Sequence, residues 1–403
     1  MRHLVLASLV TGLSLATIVP TAHGVNTPLS PKEQLGKALF FDPALSSTGT
    51  QSCATCHGPE VGFTGPIEAV NGHLVVYEGA EKGRFGNRKP PASAYAGASP
   101  NLSYDAEEDV WTGGMFWDGR ADGTTLGDPL AEQAMGPFLN PLEQAVPDAG
   151  ALCEKIAQAS YAPLFLEVWG ADALDCAEDA AGAHQLAGHA IAAYERSAEV
   201  NPFESRYDAY LASTGTLSEQ EQLGLELFED KGKCADCHPH KPGPDGAPPL
   251  FTDFSYDNLG MPLNVENPFL DMGPEYNPDG AAWRDPGLGA FLEARGEPKE
   301  RVAAAMGAMK VPTLRNVARA PRADFVKAYG HNGYFRSLEA LVHFYNTRDT
   351  LPRCAEGADD AGATCWPGPE IAQNVNMEEL GNLQLTAAEE AAIVAFLGTL
   401  SDR

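Results

Sequence analysis

The chain has 403 residues, 44% apolar and 20% charged, a balance that builds a core and excludes a disordered or fibrous protein. Its formal charge of −28 at pH 7 excludes nucleic acid and an anionic membrane surface as partners and leaves a basic protein partner open. The length predicts two or three domains.

Met1 to Gly24 reads as a signal peptide. Arg2 gives the positive start, and Leu4 to Pro20 is an apolar core too short for a spanning helix with ordinary flanks. Ala22 and Gly24 place small residues at the cleavage positions, so the mature chain begins near Val25. No later stretch is apolar enough to span a bilayer, so the mature chain is predicted to lack a transmembrane segment.

Ser30 and Glu33 form a capping-box pattern with Pro31 at the first helical position. Leu35, Leu39 and Phe40 fall on one face of the helix that follows. Next stands Cys53-Ala54-Thr55-Cys56-His57, the attachment signature of a c-type haem. Each thiol adds to a haem vinyl group, and the adjacent His ligates the iron. The stretch Ala190-Ile191-Ala192-Ala193-Tyr194 closes this half of the chain as a helix.

The pattern then recurs. Glu221-Gln222-Leu223-Gly224-Leu225-Glu226-Leu227-Phe228-Glu229-Asp230 matches residues 33–42 at seven of ten positions, again behind a Ser-x-x-Glu box, Ser218 to Glu221. Leu223, Leu227 and Phe228 are expected on one core-facing side. A second signature, Cys234-Ala235-Asp236-Cys237-His238, follows, and Ala392-Ile393-Val394-Ala395-Phe396 closes this half behind a Thr386-x-x-Glu389 cap. Two pentapeptides, each with its His, argue against a zinc or redox Cys-x-x-Cys and for two covalent haem c groups. Such a chain with a signal peptide is expected in the periplasm.

Four cysteines remain. Cys153 with Cys176 and Cys354 with Cys365 are close in sequence, and export permits disulfides. A second metal site is the alternative, although neither pair has His spacing nearby. With 41 Gly and 31 Pro and no strong strand alternation, the expected fold is mainly α. It comprises two c-type cytochrome domains in tandem, with long loops and little β. The expected boundaries are 1–24 for the signal peptide, 25–203 for an N-terminal haem domain and 204–403 for a C-terminal one.

The chain resembles the bacterial di-haem cytochrome c peroxidase family, which includes the MauG type. The resemblance rests on residues 35–42, Phe116-Trp117-Asp118-Gly119-Arg120, Glu132-Gln133-Ala134 with Gly136-Pro137, and Val311-Pro312-Thr313-Leu314-Arg315-Asn316-Val317. It implies that hydrogen peroxide reacts at the N-terminal haem and that the C-terminal haem stores or passes electrons. It also implies that Gln133 and Glu143 form the distal pair, with Glu143 shuttling a proton between the peroxide oxygens. By the same resemblance Trp117 lies between the haems. His73, sixteen residues after His57, is a candidate resting cap on the first iron. One calcium is implied between the domains, with Asn87 the nearest candidate ligand, although the usual Arg-Asn order is reversed at Asn87-Arg88.

The second haem carries a departure. Classical members place a Met fourteen residues after the His of the His-x-Gly turn, and here that position is Tyr345, counted from His331. MauG-type members have a Tyr there. A thioether favours ferrous iron, whereas a phenolate favours ferric and higher states. His343 is the competing ligand, but residues 343 and 345 of one helix point about 200° apart, so only one faces the iron. The resemblance therefore implies a periplasmic, peroxide-dependent oxidoreductase of MauG type, oxidising a partner protein's Trp or Tyr through high-valent haem. The alternatives are a cytochrome c peroxidase fed by a small redox protein and, in another class, a non-catalytic di-haem electron carrier.

Overall fold

The computed structural model describes residues 28–355 and 357–403; the expected signal peptide lies outside the described residues. Among them no helix is long and apolar enough to cross a membrane.

Each half is built on one helix pair. Helix Pro31–Phe41 starts at a Ser30–Glu33 capping box, and helix Glu219–Glu229 at a Ser218–Glu221 box. In each, the cap backbone N–H donates to the Glu side chain, at 2.6 Å and 2.8 Å. The first helix packs on Ala180–Glu195 and the second on Ala387–Gly398. The crossings are close because both carry a glycine at the contact. A Cβ on Gly36 would lie 1.9 Å from the Ala190 carbonyl oxygen, and one on Gly224 would lie 2.0 Å from that of Ala392. The sequence repeat is thus a repeat of packing.

Two cores result. One joins Leu35, Leu39 and Phe40 to Phe138, Ile191 and Tyr194; the other joins Leu227 and Phe228 to Phe251, Ile393 and Phe396. The expected core role of Leu223 fails, since this residue is 42% exposed whereas Leu35 is fully buried. In the first half helix Ala162–Trp169 also packs on Pro31–Phe41, and its Leu164, Val168 and Trp169 join the core around Leu35. Leu223 has no such cover.

The expected disulfides are present, Cys153–Cys176 and Cys354–Cys365. Strand is scarce, as expected. Ser103–Asp105 pairs antiparallel with Val110–Thr112, and Tyr256–Asp257 with Met309–Lys310. The halves are tied across buried polar contacts. Asp402 accepts from the Tyr95 hydroxyl at 2.7 Å and from the Asn316 amide at 2.8 Å.

Candidate functional site

Cys53–Cys56 forms a single helical turn and Cys234–Asp236 a tighter one, and all four cysteines of the two motifs are free thiols. Burial pushes the Cys53 and Cys234 thiols up to about 12, so both are neutral thiols where they stand. The histidines are held alike. His57 Nδ1 lies 3.1 Å from the Phe63 carbonyl and 3.2 Å from the Ser93 hydroxyl; His238 Nδ1 lies 2.7 Å from the Phe251 carbonyl. Phe63 and Phe251 both adopt left-handed backbone angles, φ 58° and 55°, which turn those carbonyls inward. An Nδ1–H donated to a carbonyl fixes the tautomer that leaves Nε2 bare to bind a metal. Burial pushes His57 down to about 4, which also favours the neutral ring.

An open cavity lies against Cys53, Cys56 and His57. Its lining also includes Phe116, Gln133, Pro137 and Glu143, so the structure brings Gln133 and Glu143 to one cavity with the first motif. Helix Pro129–Leu139 ends at Asn140, and the chain turns back so that the Asn140 amide donates to Glu143 Oε1 at 2.8 Å. Burial raises the Glu143 carboxyl above its ordinary value, opposed by the Arg120 charge and by Asn140. His73 is exposed and lies outside this lining, so the structure does not bring it to the first motif. It follows the short helix Glu68–Gly72 as its C-terminal cap.

Sequence reasoning missed Asn140, Ser93 and Glu195. Glu195 is 2% exposed, lines the same cavity and has no hydrogen-bond partner for Oε2. Burial pushes its carboxyl up to about 8, against the Ser93 hydroxyl and the Arg196 charge.

A second cavity adjoins Cys234, Cys237 and His238 and is lined chiefly by apolar side chains. Tyr345, on helix Leu338–Thr347, lines it; His343 does not, and its Nδ1 pairs with Glu390 at 3.0 Å. Met261 and Met309 also reach this cavity, which their sequence positions did not reveal. Trp117 is buried and lines both cavities, its indole N–H donating to the Lys89 carbonyl at 2.8 Å.

Two thiols beside a tautomer-fixed His, facing a large and mostly apolar cavity, fit a haem at each motif. A structural zinc does not fit, because four ligands do not converge at either motif. Among the described residues, the one group of three His, Cys, Asp or Glu with metal-binding spacing is Cys237–Asp257–Glu379, and its cysteine belongs to a haem motif. Asn87 fits a calcium poorly. Its backbone carbonyl is taken by the Asn267 amide at 2.9 Å, the next residue Arg88 is held between Asp118 and Asp285, and Lys89 beyond it is a buried cation.

Residues 30–216 match the family described as di-haem cytochrome c peroxidase. The methylamine utilization protein MauG of Paracoccus denitrificans is 36% identical over 395 residues, covering 96% of this chain and 94% of that protein. The cytochrome c551 peroxidase of Nitrosomonas europaea is 30% identical, covering 77% and 71%. Among solved structures, the diheme peroxidase BthA of Burkholderia thailandensis superposes with a TM-score of 0.75 at 32% identity, over 93% of this chain and 87% of that one.

Proposed function

This chain belongs to the di-haem cytochrome c peroxidase family, and we propose that it is a peroxide-dependent oxidoreductase of the MauG type. Its haem c groups number two, as the family name and the two motifs require. In this reading Cys53, Cys56 and His57 hold the first, and Cys234, Cys237, His238 and Tyr345 hold the second. When bound, haem supplies the iron that is oxidised by peroxide and that relays oxidising equivalents.

The protein's own groups do the rest. Glu143 takes the proton from one peroxide oxygen and delivers it to the other. Its Oε1 is held by Asn140, which leaves Oε2 to carry the proton. Gln133 orients the bound peroxide by hydrogen bonding from the same cavity. Trp117, lining both cavities, shortens the electron hop between them. The substrate is a partner protein, oxidised at an aromatic side chain from outside the buried cavities. Residues 25–203 and 204–403 act as the peroxide-reacting and electron-passing domains, and residues 1–24 direct export to the periplasm. The calcium implied by resemblance has no role in this reading, because the backbone carbonyl of Asn87 is taken by the Asn267 amide.

The observation that carries the MauG-type reading is Tyr345 in the cavity of His238 while His343 is engaged elsewhere. The competing reading, a cytochrome c peroxidase, needs a cap on the first iron that leaves only on reduction, and His73 lies outside that cavity. The two readings separate on mixing the fully oxidised protein with one equivalent of peroxide and no reductant, followed by stopped-flow absorption. The MauG-type reading expects a rapid and persistent spectral change. A protein inert until one haem is reduced contradicts it.

A further inference from the structure

The junction between the halves contains a buried cation that the haem chemistry does not use. Lys327 is 7% exposed. Its Nζ donates to three backbone carbonyls, those of Val61 at 2.9 Å, Asn316 at 2.9 Å and Arg319 at 3.1 Å. Val61 lies four residues past His57, whereas Asn316 and Arg319 belong to the other half. An ammonium has three N–H donors and here meets three acceptors; a neutral amine would leave one buried carbonyl unpaired. The backbone is shaped to this end. Asn316 holds a left-handed φ of 60°, and Gly62 approaches it so closely that a Cβ there would stand 2.6 Å from Asn316 Cβ.

Two more cations lie on the same junction. Lys89, 8% exposed, donates to Thr64 Oγ1 at 2.8 Å and to the Pro90 carbonyl at 3.0 Å. Burial first, then the Lys89 and Arg319 charges, push the Lys327 ammonium toward losing its proton, and the three carbonyls it donates to oppose that shift. Arg88 ties its loop to Asp118 and Asp285, each at 2.6 Å, in a buried cluster. Converging backbone carbonyls and an interfacial location are what a hard divalent cation uses. Here the carbonyls are taken at N–H···O distances, and a dication would face the Lys89 ammonium as well, Arg88 being neutralised by its two carboxylates.

We propose that Lys327 is the junction's resident cation: its ammonium, supported by Arg88, joins the two haem halves in place of a metal ion, so the protein assembles and keeps its haem coupling without calcium. The consequence for Trp117 is direct, because its indole hydrogen bond ends on the Lys89 carbonyl within this cluster.

The test uses the di-haem holoprotein. Calcium per chain is measured by plasma mass spectrometry after gel filtration in EGTA, and the melting temperature and haem absorption spectrum are recorded with EGTA and again with added calcium. The expected result is calcium far below one atom per chain and an unchanged melting temperature and spectrum. Stoichiometric calcium, or an EGTA-induced loss that calcium reverses, overturns the proposal. In a second arm Lys327→Met keeps the side-chain length and removes the donors. It should lower the melting temperature by roughly 5 to 10 °C by stranding three carbonyls. A variant as stable as wild type also overturns it. If the variant does not fold, the EGTA arm on the wild type still decides.

Discussion

Replacing Glu195 by Gln should make the stability of the first half less sensitive to pH. Glu195 ends helix Ala180–Glu195, is 2% exposed, and leaves Oε2 unpaired. Burial pushes its carboxyl from 4.5 up to about 8. An acid held above its ordinary pKa binds more protons folded than unfolded, so stability falls as pH rises through that window. Each pH step there costs about 1.4 kcal/mol, and between about pH 5 and pH 7 the loss sums to roughly 2.5 kcal/mol. For a unit of this size that is roughly 5 to 10 °C in melting temperature. Gln has nearly the same shape and cannot ionise, so it removes this dependence. The assay is far-UV circular dichroism melting of holo wild type and Glu195→Gln across that pH range. The wild type should lose ground to the variant as pH rises. Parallel curves would refute the argument and mean that Glu195 ionises without penalty.

Glu143→Gln should slow the reaction with peroxide by roughly 10²- to 10⁴-fold while both haems stay attached. Because Glu143 must be ionised to accept the proton and burial raises its carboxyl, the wild-type rate should rise with pH through an inflection above the usual carboxylate range. That inflection should vanish in the variant; stopped-flow pH profiles check both. Gly224→Ala should cost about 1–3 kcal/mol or more by denaturant titration, because its Cβ would meet the Ala392 carbonyl at 2.0 Å and force the helices apart. An unchanged midpoint would mean that the pair separates freely.

Much of the scaffold was legible because it is local. Capping boxes and the Cys-x-x-Cys-His turns are short-range patterns, and they recur, so one copy supports the reading of the other. Leu223 shows the limit of that logic. Its helical face was read correctly by analogy with Leu35, but what covers a face depends on elements elsewhere in the chain. The polar neighbours of the site were not legible for a related reason. Ser93 reaches His57 across 36 residues and Lys327 reaches Val61 across 266, and no local periodicity encodes such contacts. Asn140 is different. An Asn three residues before the carboxylate it holds is a local turn signal and could have been read. Met261 and Met309 were visible as residues but not as neighbours of His238, since a loop and a two-residue strand are too short or irregular to show a period.

The central claim concerns Tyr345, and the most direct measurement is a spectropotentiometric titration of wild type and Tyr345→Met. A phenolate stabilises the oxidised iron and a thioether the reduced one. The variant should therefore raise the midpoint potential of the second haem by on the order of 100 mV or more. The first haem should change little, because Tyr345 does not line its cavity. A second haem whose potential and spectrum are unaltered would contradict the account. It would mean that another side chain of that cavity, such as Met261 or Met309, holds the iron, and would favour the ordinary peroxidase reading.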